Sequence, residues 1–431
     1  MKAVYMYCLM FLENSSIHGL NHLIAKKRTP TERVLWLLFI SAGIVGAVSF
    51  GVSTWRRYQS NPTVVSMERE YKDWNTSFPS VTICPQQKYN NISAKAKSQS
   101  DDVYKFIKNL VSASYENFDE LEPGLSEGIF SPEQYMEVII NNSFELTHKS
   151  NFDVHFTKTI TEMGLCYTYL SNIAIYNSPE YWQNKNWTIM KKDVQLYGNP
   201  LSGEISLQIT NMNSGSKVYI HNAHEVPDSS SHFLNLKYGN QLTVSVLSLT
   251  IYSTDDVTSL NIYQRKCRFL EESDLQISPV YSYNLCRMQC RMEQAIRLCG
   301  CKPHFYRTKL KFPVCNLGGM RCLGRYKTTL ISLREDKHKL CDCLPPCDDV
   351  NYVIDYEEHI EWKLGTNVIV KLSKYPRMRL KRSLIFGFTD VLVAIGASTG
   401  LFLGCSILSF LEIIYFFTLR LYWFTLSRRF N

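Results

Sequence analysis

Residues 391–411 read VLVAIGASTGLFLGCSILSFL, 21 consecutive positions without a charge. A helix that crosses a bilayer needs roughly 20 predominantly apolar residues, so this run qualifies. It does not stop there. Past Glu412 the apolar sequence continues to Leu419, just before Arg420. The 29 residues from 391 to 419 would make a straight helix of roughly 44 Å against a hydrocarbon core of ~30 Å, so the segment must tilt, project or break. Gly396, Gly400 and Gly404 recur at every fourth position, with Ala397, Ser398 and Ser406 beside them. A small-residue stripe of this kind lets helices approach backbone to backbone. The step Gly404-Cys405-Ser406 is where a break is expected. Irregular backbone at membrane depth is tolerated only where it lines water or is buried in protein.

A second run lies near the other end: residues 34–52, VLWLLFISAGIVGAVSFGV, 19 positions without a charge, closed by Trp55-Arg56-Arg57. Core helices of soluble proteins rarely stay uncharged so long, which makes this a second crossing. Its own small stripe, Gly43, Ala47 and Gly51, suits packing against the first run. The opening residues, Lys2 then Ala3 to Leu12, look superficially like a short secretory core. Tyr5, Tyr7 and Cys8 weaken that core and no A-x-A site follows, so the segment is read as retained. Of 431 residues 45% are hydrophobic and only 20% charged, which excludes a disordered chain. The net charge of +8 gathers beside the apolar runs rather than on one stripe, so the expected partner is membrane lipid and not nucleic acid. No nucleophile–base constellation and no metal site stands out, so neither an enzyme nor a cofactor is expected.

Twelve of the 14 cysteines fall between the two runs, and the other two are Cys8 and Cys405. An even dozen in one compartment reads as disulfides formed in an oxidising lumen. Four glycosylation sequons, at Asn75, Asn91, Asn141 and Asn186, agree with an extracellular middle. The flanking spacings of Cys341-x-Cys343 match no standard zinc site. Lys26, Lys27, Arg28 and Arg33 before the first run, and Arg420, Arg428 and Arg429 after the second, place both termini in the cytoplasm. Lys371, Lys374, Arg377, Arg379, Lys381 and Arg382 oppose that assignment, but long translocated domains largely escape the charge rule.

Residues 284–298, NLCRMQCRMEQAIRL, contain no Gly or Pro and read as a helix. Cys286 and Cys290 are then on one face about 6 Å apart along the axis. On an extended segment Cys341 and Cys343 also share a face, about 6.6 Å apart. The matching rises allow two rungs, Cys286 with Cys343 and Cys290 with Cys341 if antiparallel, and Cys267 with Cys347 would close the ladder. Cys299 would pair with Cys322 and Cys301 with Cys315. Connectivity is not fixed by sequence; this arrangement has the least geometric conflict.

Together these segments resemble the degenerin/epithelial sodium channel (amiloride-sensitive sodium channel) family, and within it the insect pickpocket branch. The resemblance rests on Ser16-Ile-His18-Gly19, Phe78-Pro-Ser-Val-Thr-Ile-Cys84 and Leu165-Cys166-Tyr-Thr. It rests also on the array Cys286-x3-Cys290…Cys299-Gly-Cys301-x-Pro303…Cys341-x-Cys343-Leu-Pro-Pro-Cys347, and on Gly400-Leu-Phe-Leu-Gly404-Cys405-Ser406-Ile-Leu-Ser. It implies a two-pass membrane protein with two transmembrane α-helices and a large disulfide-rich α+β extracellular domain of palm, finger, thumb, knuckle and β-ball. The implied divisions are a cytoplasmic N-terminus (1–33), a first helix (34–55), the extracellular domain (56–383, its thumb ladder about 267–347), a pore-lining segment (384–419) and a cytoplasmic C-terminus (420–431). The ladder pairs as derived above, and Cys84 bonds Cys166.

The resemblance also implies roles. Gly404, Cys405 and Ser406 would form the selectivity filter through backbone carbonyls. Val393, Ala394, Gly396, Gly400 and Glu412 would line the pore and gate, with Glu412 a ring of negative charge in an inner vestibule. His18 and Gly19 would be a cytoplasmic gating motif. Val393 stands where the family usually carries a small residue whose enlargement props the gate open, which implies a raised resting leak. Acid-sensing members have a second carboxylate three positions beyond Glu412, where this chain has Tyr415. Their aromatic contact between first crossing and thumb is also missing, with Asn61 before Pro62 and Gln264 three positions before Cys267. The implied function is a pore-forming subunit of a trimeric, sodium-selective, voltage-independent, amiloride-sensitive channel in the plasma membrane. An unidentified extracellular stimulus would gate the homo- or heterotrimer, and permeant sodium would be the only ion involved. Two rival readings are a modulatory subunit that conducts only in heteromers and a two-pass receptor without a pore.

Overall fold

The segment NQLTVSVLSLTIYS alternates β-branched or apolar residues with polar ones, the period of a strand with one buried face. It forms the strand Asn240–Ser253 and buries Leu242, Val244, Val246 and Ser248. The computed structural model describes the chain except residues 1, 26–27, 91–100, 122–129, 153–155, 185–186, 190–193, 336–337 and 430–431. It comprises two units: residues 1–64, 254–265 and 383–431 form one, and residues 65–253 and 266–382 the other. Two apolar helical segments and a disulfide-rich, β-rich extracellular domain are the architecture the sequence leads one to expect.

In the extracellular unit the sheet strands, in chain order, are β1 (Thr63–Glu68), β2 (Ser80–Pro85), β3 (Lys149–Ser150), β4 (Thr157–Thr161), β5 (Gly164–Tyr169) and β6 (Ile205–Met212). They continue with β7 (Ser216–His221), β8 (Leu234–Leu236), β9 (Asn240–Ser253), β10 (Asp349–Glu361), β11 (Thr366–Leu372) and β12 (Arg379–Leu384). Among the described residues the larger sheet has seven strands, ordered β1-β12-β9-β11-β6-β3, with β10 paired along β9. A second has five, ordered β8-β7-β2-β5-β4, and two short pairs, Thr76–Ser77 with Tyr197–Gly198 and Arg334–Glu335 with His338–Lys339, stand apart from both. The two sheets share a core that includes Phe78, Ile83, Leu207, Val244 and Val368.

A second core is built on the helix Tyr283–Cys299, which Ser282 caps by accepting the Leu285 N–H at 3.2 Å and Gly300 ends in a left-handed turn at φ 74°. Cys286 and Cys290 on this helix bond Cys343 and Cys341, with Cα separations of 5.8 and 6.0 Å. The partner segment lies in no strand. Cys267–Cys347, Cys299–Cys322 and Cys301–Cys315 close the rest of this region, and Cys84–Cys166 ties β2 to β5. Each bridge confines the unfolded chain as well as the native one. Replacing Cys290 and Cys341 together by serine is expected to lower stability by about 2–4 kcal/mol, read as an earlier denaturant midpoint of the purified protein.

The same helix buries a charge. Arg291 is fully buried, and its guanidinium donates to both Glu162 oxygens, to Asp228 Oδ2 at 3.1 Å and to the Leu330 carbonyl at 2.7 Å. The Ser229 N–H and the Tyr306 hydroxyl also donate to Glu162, and Arg287 donates to Asp228 at 3.0 Å. Burial pushes the Asp228 carboxyl up, but Arg291 and Arg287 outweigh it and hold the group below the usual carboxylate range. Of the sequons, Asn75 and Asn141 are exposed. Asn91 and Asn186, like Lys26 and Lys27, lie outside the described residues.

In the other unit the first crossing is a helix from Pro30 to Ser60. It begins with a capping box in which Thr29 and Glu32 satisfy each other's N–H groups. It extends beyond the apolar run at both ends. The second crossing is two helices, Phe388–Leu403 and Ile407–Tyr415, followed by a wider π turn at Phe416–Arg420 and a helix at Leu421–Arg429. Helix therefore continues past residue 419, where the apolar pattern of Leu421, Tyr422 and Trp423 carries it on.

Candidate functional site

Three residues make the break. Gly404 adopts φ +62° and ψ 21°, a left-handed turn that ends the outer helix, and its N–H bonds the Gly400 carbonyl at 2.9 Å. Ser406 is extended and caps the inner helix: its hydroxyl accepts the Ser409 N–H at 3.3 Å, and the Ser409 hydroxyl accepts the Ser406 N–H at 3.2 Å. A stop signal and a start signal thus stand two residues apart. Their consequence is a set of uncommitted acceptors. The Ser406 carbonyl is engaged by the N–H groups of Ser409 and Phe410, at 3.0 and 3.4 Å. Among the described residues no hydrogen bond is made to the carbonyls of Gly404 or Cys405. The Ser406 carbonyl thus carries helix bonds that the other two carbonyls do not. The Cys405 thiol is half-buried and outside any disulfide.

The N-terminal segment meets this break. The His18 N–H donates to the Leu403 carbonyl at 3.3 Å, and its imidazole fills the space that a Cβ on Gly404 would need. Gly19 turns at φ +93° close to the first crossing, where an added Cβ would lie 3.1 Å from Ile40. The His22 ring then packs on Trp36, centroids 4.4 Å apart. One step earlier, Ser16 donates its N–H to Glu412 Oε2 at 3.1 Å, and its hydroxyl bonds both Glu412 and Ser409. The helix Lys2–Asn14 continues the contact: the Tyr7 hydroxyl donates to the Phe416 carbonyl, and Phe11 packs on Phe416 and Phe417 at 5.4 and 5.3 Å. Glu412 is thus tied to Ser16.

Small residues behave differently from the expected stripes. In the first crossing, a Cβ on Gly43 would come 2.9 Å from the Phe402 carbonyl oxygen and one on Gly46 would come 2.8 Å from the Phe402 ring. Gly51 meets nothing within 4 Å. The close approach to the second crossing is therefore made at Gly43 and Gly46, the first against the Phe402 backbone carbonyl and the second against its ring. On the outer helix Gly396 also faces open space, and Gly400 has only the Cys405 carbonyl nearby, 3.7 Å from where a Cβ would sit. Val393 is 71% exposed and Ala394 half-buried. At the outer ends the Ile385 N–H donates to the Pro62 carbonyl at 2.9 Å, and Arg57 sits over the Phe386 ring. Gln264, which stands where an aromatic contact was missing, is buried and donates to the Tyr58 carbonyl at 3.4 Å.

Ser16 and Ser409 stand inside the quoted motifs without a role being read for either, and Gly46 went unrecognised. Ser409 alone had a local signal, the Ser406-x-x-Ser409 spacing of a reciprocal cap. The Ser16–Glu412 contact predicts that Ser16→Ala and Glu412→Ala act non-additively on stability. The expected coupling is about 0.5–3 kcal/mol in a double-mutant cycle of unfolding midpoints, and strict additivity would count against it.

A disulfide-braced extracellular domain and two apolar crossings, one interrupted by uncommitted carbonyls, define a two-pass membrane protein. Residues 11–416 match the family model described as amiloride-sensitive sodium channel, and the chain belongs to that family. It is accordingly a cation channel and not an enzyme. It is 21% identical to the sodium channel protein Nach of Drosophila ananassae, over 95% of this chain and 86% of that one. It is 23% identical to pickpocket protein 11 of Drosophila melanogaster, over 95% and 75%. It is 24% identical to the rat (Rattus norvegicus) acid-sensing ion channel 4, over 94% and 78%. A solved cryo-EM structure of a proton-activated chloride channel overlays with a TM-score of 0.28 at 4% identity, covering 89% of this chain and 95% of that one, a likeness too slight to bear on the fold.

Proposed function

We propose that the chain is a pore-forming subunit of a trimeric, sodium-selective, amiloride-sensitive channel of the plasma membrane, with both termini cytoplasmic. The observation that carries this reading is the helix break with its uncommitted Gly404 and Cys405 carbonyls. Three copies of such a break around one axis would ring a narrow path with oxygens able to replace part of a sodium ion's hydration. Ser406 holds the ring's shape as a cap, and His18 supports it from the cytoplasmic side. Gly396, unopposed within the chain, suits a face turned to neighbouring subunits or to water. The extracellular domain gates the pore in homo- or heterotrimers with sister subunits, in response to a stimulus that the site does not itself define. The Gln264–Tyr58 contact supports one route for that coupling.

Voltage clamp of cells expressing the chain, alone and with sister subunits, tests the proposal. Sodium current should exceed potassium current on ion replacement, amiloride should block it, and Ser406→Cys should alter the ratio. Absence of current in every combination would favour a receptor without a pore. Val393→Ala should reduce the basal current; an unchanged leak would remove Val393 from the gate.

A further inference from the structure

We propose that a notch in the larger extracellular sheet binds a small amphiphilic anion, a molecule with an alkyl body and a single carboxylate-like head. The notch arises from strand register. One edge of β9 is paired with β10 from Asn240 to Ile251. Two parallel strands share its other edge: β11 lies opposite Gln241 to Ser245, and β12 opposite Ile251 to Ser253. Residues 246–250 have no strand beside them on that edge. Residues 373–378 pass there as the link from β11 to β12, and among the described residues they form no backbone hydrogen bond with 246–250. The result is a short open sheet edge inside a continuous sheet, with unpaired backbone groups available to a guest.

A cavity of about 610 Å³ occupies this place, a size usual for small-molecule sites. Its walls are mostly apolar: Leu247, Leu249, Val353, Pro376 and Met378. Val353 and Met378 are 57% and 47% exposed, large apolar side chains left uncovered together. Two basic side chains set the chemistry of the guest: Lys374 and Arg377 line the cavity, while the Ser248 hydroxyl lies on the opposite, buried face of the strand with Leu242, Val244 and Val246. The pairing of β9 with β10 slips between Ser245 and Val246, which leaves Asp355 as an extra residue, and its carboxylate takes the Lys374 ammonium at 2.6 Å. Arg377 is exposed and forms no ion pair among the described residues, so the lining keeps a net positive charge. An apolar wall and a spare guanidinium favour an alkyl carboxylate over a neutral alcohol or an amine. Another copy of the chain could cover the same apolar face; the uncompensated charge of Arg377 favours the small anion.

The site does not depend on conduction, so binding is the readout. The full-length protein in lipid nanodiscs is exposed to a diazirine-bearing dodecanoate, irradiated, digested and mapped by mass spectrometry. The expected label falls on peptides containing residues 247–249, 353 and 374–378. Excess dodecanoate should compete and dodecanol should not. Arg377→Gln should weaken binding about fivefold, the upper worth of one exposed ion pair. Val353→Trp, which adds bulk at an exposed position, should abolish it. Equal competition by dodecanol, or full labelling of Arg377→Gln, overturns the proposal. So does label that appears only after the assembly is dissociated, since the face would then be a contact between copies.

Discussion

Replacing Gly404 with alanine is expected to cut sodium current about tenfold or more while the protein still reaches the cell surface. Two costs act at that atom. The backbone there is left-handed, which disfavours an L side chain by roughly 1–2 kcal/mol. The new methyl group would also overlap the His18 imidazole, so either the break or the His-Gly turn must move. A barrier or equilibrium shifted by 1.4 kcal/mol is already about a tenfold change. His18→Ala in the same background should recover part of the current, because it removes the overlap and leaves the backbone strain. Whole-cell current normalised to surface biotinylation measures both effects. Normal current from Gly404→Ala would mean that neither the turn nor the packing beneath it matters for permeation.

The second large effect lies in the extracellular domain. Arg291→Met should destabilise the fold by about 3–5 kcal/mol, because Glu162 and Asp228 would remain buried with their main counter-charge gone. Domains are stable by only about 5–15 kcal/mol, so little surface protein is expected to survive. Adding Glu162→Gln should restore part of the loss, since a neutral amide asks less of its buried surroundings. Surface labelling and unfolding midpoints of the single and double variants test this. Wild-type surface levels for Arg291→Met would show that the cluster contributes little.

Much of the architecture was legible from local pattern. Two long uncharged runs announce helices in lipid, and cysteines confined between them announce an oxidised exterior. The break could also be read, since glycine followed two residues later by serine is a stop beside a start. Other features depend on closure of the chain. Ser16 and Glu412 are 396 residues apart, and nothing near either residue signals the other. Arg291 on a polar-looking helix reads as solvated until Glu162, 129 residues earlier, folds against it. Gly46 escaped because a fourfold stripe was assumed, whereas the neighbour it accommodates is one phenylalanine ring.

The double cap at residues 404–406 has a mechanical consequence. Among the described residues no N–H of the inner helix bonds a carbonyl of the outer one, so the ladder is severed rather than bent. The two halves are instead held from outside the ladder: Phe402 is wedged against Gly43 and Gly46 and His18 bonds the Leu403 carbonyl on one side of the gap, while Ser16 bonds Glu412 on the other. The N-terminal segment is a splint laid across a severed rod.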